Sequence, residues 1–183
     1  KLLEASFTDR HVRRYVVQFN HTICITQFHF NSFEQNGKYY EWSDLMPNGK
    51  KLAVPNWGTA NGGFGLARSS AKPEEYPTVP YENGKEGYGV KLETCSTGSF
   101  GQMTNKPLAA GNLFLGTFDL QTALKEPLTS TRFGVRFSKY PVRFVGYYRY
   151  LPGEQMRDGK GNAIEGTDAP SIYAIPYKNH AAN

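Results

Sequence analysis

Apolar and polar residues alternate along this chain in short runs separated by Gly, Pro, Asn and Ser. A period of two marks strands with one face buried, whereas a helix would repeat near 3.6. Residues 12–19 (VRRYVVQF) and 22–30 (TICITQFHF) predict two strands joined by a tight hairpin at Asn20-His21. In the second run Ile23, Ile25, Gln27 and His29 share one face, and Cys24, Thr26, Phe28 and Phe30 the other. The weakly patterned first ten residues predict a short helix or an arm. After a polar loop with Asn36-Gly37, residues 38–42 (KYYEW) predict a short apolar strand with Trp42 in the core.

Between 43 and 81 the composition predicts mostly loop, ordered by the embedded Trp57, Phe64 and Tyr76. Residues 87–95 (GYGVKLETC) predict a strand with Tyr88, Val90, Leu92 and Thr94 on one face and Gly89, Lys91 and Glu93 on the other. The nearly continuous apolar run 108–120 predicts a central strand buried on both sides, with Gly111 and Gly116 marking bulges or bends. One helical turn fits 118–126, ended by Pro127. Residues 132–137 and 142–150 predict strands split by Tyr140-Pro141, and 171–177 (SIYAIPY) predict a last strand with Pro176 at an edge or bulge.

Strands of this number and spacing, with no long amphipathic helix, predict an all-β fold, a two-layer β-sandwich of jelly-roll type. A length of 183 residues and the absence of an internal boundary predict one domain over 1–183.

Composition supports strands: 12 Tyr, 12 Phe and 2 Trp make the chain 14% aromatic, and 19 Gly with 11 Pro supply turns. The net charge of +5 is spread along the sequence, which points to a mixed solvated surface and away from nucleic acid. No apolar run reaches the ~20 residues of a membrane helix, so no direct membrane insertion is expected. Cys24 and Cys95 lack CxxC spacing, leaving open a disulfide in an exported protein or two buried thiols.

Six segments in register carry a resemblance. They are Tyr40-Glu41-Trp42; Pro55-Asn56-Trp57-Gly58-Thr59-Ala60-Asn61; Tyr76-Pro77-Thr78; Gly87-Tyr88-Gly89-Val90-Lys91-Leu92-Glu93-Thr94; Ala109-Ala110-Gly111-Asn112-Leu113-Phe114-Leu115-Gly116; and Val145-Gly146-Tyr147-Tyr148-Arg149-Tyr150-Leu151-Pro152-Gly153. Together, over about residues 40–177, they resemble the putative carbohydrate metabolism domain family (PCMD) of exported and surface proteins in gut-type bacteria. Residues 1–39 are left as N-terminal strands or an arm. The resemblance implies a jelly roll similar to carbohydrate-binding modules and an extracellular or outer-membrane-surface location. It also implies a domain that continues past the 171–175 strand, so that the sheets lack their last strands or are completed by self-association or a partner chain.

Sugar binding needs a flat aromatic face for C–H groups and fixed amides, carboxylates and cations for hydroxyls. Trp57 with Asn56 and Asn61 supplies these types, although burial of Trp57 at a sandwich end would explain it as well. Lys91 and Glu93 emerge together from one strand face, as do Tyr147 and Arg149. These seven residues form the candidate ligand site. No catalytic residue is assigned, because no pair or run of carboxylates of the glycosidase kind stands out. Nor does a Gly-x-Ser-x-Gly elbow accompany His11, His21, His29 or His180. No cofactor is expected; the loop with Asp158, Asn162 and Asp168 offers oxygen ligands that could hold calcium, but Lys160 occupies a ligand position.

The expected function is a non-catalytic glycan-binding module whose partner is a poly- or oligosaccharide. The alternatives are a structural or adhesive surface module acting through sheet edges, and a glycoside hydrolase.

Overall fold

The computed structural model describes residues 7–9, 12–14, 30, 33–43, 50, 57–85, 87–126, 129–136 and 146–175. In chain order the elements are β1 (Phe7–Asp9), β2 (Val12–Arg14), β3 (Phe33–Gln35), β4 (Tyr40–Trp42), β5 (Trp57–Gly58), α1 (Asn61–Ala67), β6 (Thr78–Tyr81), β7 (Gly89–Leu92), β8 (Cys95–Ser96), α2 (Gly98–Met103), β9 (Leu108–Ala109), β10 (Phe114–Phe118), α3 (Leu120–Lys125), β11 (Thr131–Phe133) and β12 (Tyr147–Arg149). Among the described residues the protein is mostly β with three short helices, and every strand pair is antiparallel. The expected strand over 22–30, apart from Phe30, lies outside the described residues.

The chain forms two compact units. One draws on residues 1–27, 137–156 and 163–183 and contains the sheet β1-β2-β12. A strand replaces the expected arm at 7–9, because Phe7 and Asp9 find partners in Arg13 and Val12. At 171–175 the expected last strand is absent: the segment is exposed, and no described residue hydrogen-bonds to its backbone. High β-propensity alone does not make a strand.

The other unit, from 28–136 and 157–162, contains the sheet β11-β10-β5 and the pairs β3-β4, β6-β7 and β8-β9. Its core is Phe64, Tyr76 and Val79, with Tyr39, Tyr40, Ala71, Cys95 and Ala109 packed against them. The β3-β4 hairpin turns at Asn36, whose N–H donates to Tyr39 O and whose Oδ1 accepts from the Lys38 and Tyr39 N–H groups. Phe33, Tyr40 and Trp42 share one face of this hairpin, and Trp42 is buried as expected.

The span 43–81, expected as loop, carries β5, α1, a 3-10 turn at Pro73–Glu75 and β6. Helix α1 is hard to read from the sequence because Gly62, Gly63 and Gly65 are poor helix formers. Packing favours glycine at two of them: a Cβ at Gly62 would meet Tyr39 Oη at 3.2 Å and one at Gly65 Tyr76 Oη at 2.8 Å, whereas one at Gly63 would only touch Phe118 Cζ at 3.6 Å. Residues 108–120 are β9, β10 and the start of α3 rather than one central strand. The break at 110–113 arises because its polar groups are used sideways: Gly111 N–H donates to Glu93 O, and Asn112 bonds to Ala60 and Thr78.

Candidate functional site

The Trp57 loop is held by a buried amide network. Asn61 is 1% exposed; its Nδ2 donates to Thr78 O (2.8 Å) and its Oδ1 accepts from Thr78 N–H (3.2 Å). Pro77 O already accepts from Glu93 N–H, so alternation along the β6-β7 ladder turns the Thr78 backbone groups away from β7. Asn61 therefore serves Thr78 as a neighbouring strand would. Thr78 Oγ1 donates to Asn112 O (2.9 Å), and Asn112 Oδ1 accepts from Ala60 N–H (2.9 Å). This closes the network around the segment that carries Trp57. Both polar atoms of the Asn61 side chain are thus occupied by backbone; Asn56 lies outside the described residues.

Trp57 is half-buried and packs against Phe30 with ring centroids 5.5 Å apart and planes tilted by 49°. In the sheet, Trp57 is opposite Leu115, and Thr117 is opposite Arg132. Residues two apart on a strand share a face, so Trp57, Leu115, Thr117 and Arg132 line one side of β5-β10-β11. Thr117 and Arg132 are exposed. Asp119 continues the row, its N–H donating to Ser130 O. Its carboxylate N-caps α3, accepting from Thr122 Oγ1 (2.6 Å), Gln121 N–H (3.0 Å) and Thr122 N–H (3.2 Å). The Thr122 hydroxyl and N–H, with Arg132 contributing a smaller attraction, hold this carboxyl below its usual range.

Lys91 and Glu93 leave β7 and its extension on one face, as the alternation predicts, and form an ion pair between Nζ and Oε2 with both side chains about half exposed. The register places Val79 and Tyr81 of β6 on that same face, Val79 opposite Lys91 and Tyr81 opposite Gly89. Val79 belongs to the core, whereas Tyr81 is 37% exposed. Gly89 puts no side chain in front of Tyr81; a Cβ there would touch Tyr81 Cδ1 at 3.9 Å. Cys95, a free thiol, sits close by. Burial and then the Glu93 carboxylate push its pKa up, while Lys91 and Arg68 pull it down, which places Arg68 in the same charged neighbourhood.

Tyr147 and Arg149 lie on β12, which pairs with β2 in the first unit; both are exposed. The structure thus brings together Lys91 with Glu93, and Trp57 with the Asn61 network. In the 157–162 turn, Asp158 accepts from Lys160 N–H (2.8 Å), Asn162 N–H (2.9 Å) and Asn162 Nδ2 (3.0 Å), and Asp168 accepts from Ala169 N–H (2.9 Å). Among the described residues no group of three or more His, Cys, Asp or Glu could hold a metal ion. No described helix is long and apolar enough to cross a membrane.

Sequence reasoning missed Tyr81, Arg68, Thr117 and Arg132. The alternation in 114–118 and 131–133 marks Thr117 and Arg132 as outward positions, but only the register shows that they meet.

The family model described as putative carbohydrate metabolism domain, PCMD, matches residues 29–183. The chain belongs to the PCMD family. The match begins before the hairpin β3-β4, ahead of the region around residue 40 where the motifs become dense. Solved structures that resemble this PCMD chain include two putative glycoside hydrolases. One is a putative glycoside hydrolase from Bacteroides thetaiotaomicron VPI-5482, 32% identical, TM-score 0.67, covering 82% of this chain and 40% of its own. The second, a putative glycoside hydrolase from Bacteroides vulgatus ATCC 8482, is 34% identical with a TM-score of 0.67, covering 77% of this chain and 56% of its own. The PCMD chain therefore spans about half the length of these structures or less. No curated protein matches it.

Proposed function

We propose that this PCMD chain is a non-catalytic glycan-binding module of an exported or cell-surface bacterial protein that handles carbohydrate. The observation that carries the reading is the shared face of Tyr81, Lys91 and Glu93. The phenol ring supplies an apolar plane for sugar C–H groups, uncovered because its cross-strand neighbour is Gly89. Lys91 donates to sugar oxygens and Glu93 accepts from sugar hydroxyls, and their mutual ion pair holds the two heads side by side. An exposed pair of this kind contributes under about 1 kcal/mol to folding, so stability alone is a weak reason for it. In this reading the frame is a jelly-roll sandwich, supported by antiparallel partners far apart in sequence, such as β5 with β10.

A glycan array probed with the full chain tests the proposal. We expect binding to at least one poly- or oligosaccharide, weakened tenfold or more by Tyr81→Ala and by Lys91→Ala. Absence of any hit, or hits indifferent to both substitutions, defeats it.

A second reading, hydrolysis, draws on the two structural relatives and on Glu34 and Glu41, which face each other across β3-β4. Cross-strand Cβ atoms lie about 4.5–5.5 Å apart, and the carboxyl pair of a retaining glycosidase needs a separation of about 5–5.5 Å. Release of reducing ends from a polysaccharide, abolished by Glu41→Gln, would favour it; no release from any polysaccharide on the array would exclude it.

A further inference from the structure

We propose a second, separate carbohydrate subsite on the Trp57 face of β5-β10-β11, selective for neutral oligosaccharides. Register carries the argument: three adjacent strands place an indole, an aliphatic floor at Leu115, a hydroxyl at Thr117 and a guanidinium at Arg132 on one surface. Strands about 4.8 Å apart set β5 and β11 about 10 Å from each other, a span suited to two linked sugar rings. One ring lies over Trp57, half-buried with its Nε1 away from solvent, and Phe30 packs on the same side chain with the planes tilted by 49°. The next ring reaches Thr117 and Arg132, both exposed and directly opposite one another. The planar fork of an arginine bonds two adjacent hydroxyls at once.

Charge selects the ligand class. Asp119 lies in the same row, close enough to Arg132 for attraction, and its carboxylate stays ionised because three α3 donors are bonded to it. The face therefore carries one positive and one fixed negative group. An acidic sugar would gain from Arg132 what it lost to Asp119, whereas a neutral sugar meets no opposing charge. Backbone geometry brings β11 close to β10: Gly116, at φ +140°, follows Leu115, and a side chain there would run into Arg132 O.

The chain's two tryptophans make the test direct. Trp42 is 1% exposed, so a ligand-linked change in emission reports Trp57. The full chain is titrated with cello-, xylo-, manno- and malto-oligosaccharides and, separately, with oligogalacturonate. We expect a saturable change with at least one neutral series, weakened tenfold or more by Arg132→Ala and by Thr117→Val, and unaffected by Tyr81→Ala. The proposal is overturned if no neutral series changes the emission, if only oligogalacturonate does, or if the response survives Arg132→Ala. A response lost in Tyr81→Ala but intact in Arg132→Ala belongs to the β6-β7 face and overturns it too. Array binding that requires Tyr81, with silent Trp57 emission, would leave the module reading standing and remove this subsite alone.

Discussion

Removing the Asn61 amide tests the loop architecture most sharply. Asn61→Ala deletes two hydrogen bonds, to Thr78 O at 2.8 Å and from Thr78 N–H at 3.2 Å, in a place where both residues are 1% exposed. A buried backbone group left without its partner costs about 1–3 kcal/mol, so the pair together costs about 2–6 kcal/mol. For a protein of this size each kcal/mol lowers Tm by about 2–4 °C, which puts the expected loss at about 4–24 °C by calorimetry. Urea unfolding should show a lower midpoint at an unchanged slope. Asn61→Asp adds a signature that a mere cavity lacks. Ionised, its second oxygen faces the Thr78 carbonyl; protonated, that oxygen donates to it and restores both bonds. Burial raises this carboxyl's pKa in the folded protein above its unfolded value. The stability it contributes is therefore fully present below the unfolded pKa of about 3.9 and is lost as pH rises through the folded pKa. The gap between Asn61→Asp and the parent should be narrow in acid and wide at neutral pH. A flat gap, or an Asn61→Ala penalty below about 0.5 kcal/mol, refutes the role of Asn61 as a surrogate strand for Thr78.

Four further outcomes follow from the packing and the hydrogen bonds. At Gly111 a Cβ would lie 2.5 Å from Glu93 N, 2.8 Å from Leu92 Cα and nearer still to Pro77 O. All three are backbone atoms that cannot swing aside, so Gly111→Ala should lose at least about 1–3 kcal/mol in urea unfolding. Gly146→Ala, with nothing within 4 Å, should stay within about 0.5 kcal/mol of the parent. Tyr76 is 2% exposed, its hydroxyl finds no hydrogen-bond partner among the described residues, and burial pushes its pKa up. Tyr76→Phe should therefore be neutral or stabilising, and a loss above about 1 kcal/mol would contradict this. Asp119 holds α3 with a depressed pKa, so its contribution is present above the unfolded carboxyl pKa and lost as pH falls through the folded one. Asp119→Ala should melt lower at pH 7, with the difference shrinking in acid; a constant difference from pH 7 to pH 2 would count against it.

What the sequence made legible were the features set by neighbours along the chain. Alternation put Lys91 and Glu93 on one face, the apolar run around Trp42 marked it as core, and Pro127 bounded the turn that became α3. The family, too, could be read from the motifs. What stayed hidden depended on partners distant in sequence. Gly62, Gly63 and Gly65 look like loop until Tyr39, Phe118 and Tyr76 are brought against α1. Residues 171–175 look like a strand until the lack of a described partner is seen. Asn61 read as a sugar ligand because an amide in a Gly-rich loop has the same types of donor and acceptor whether it meets a hydroxyl or a backbone. In the fold both of its polar atoms bond the backbone of Thr78, 17 residues away.

The Asn61 amide has one more consequence, for association. A strand edge with free N–H and C=O groups is a template on which other chains can grow. At Thr78 that edge is occupied by a side chain of the same molecule, bound at both atoms and sealed from solvent. An incoming strand would have to displace an intramolecular ligand of very high effective concentration before forming its first bond. The motif that marks the family thus also caps the β6 edge at Thr78, where an incoming strand would find both backbone groups already bonded.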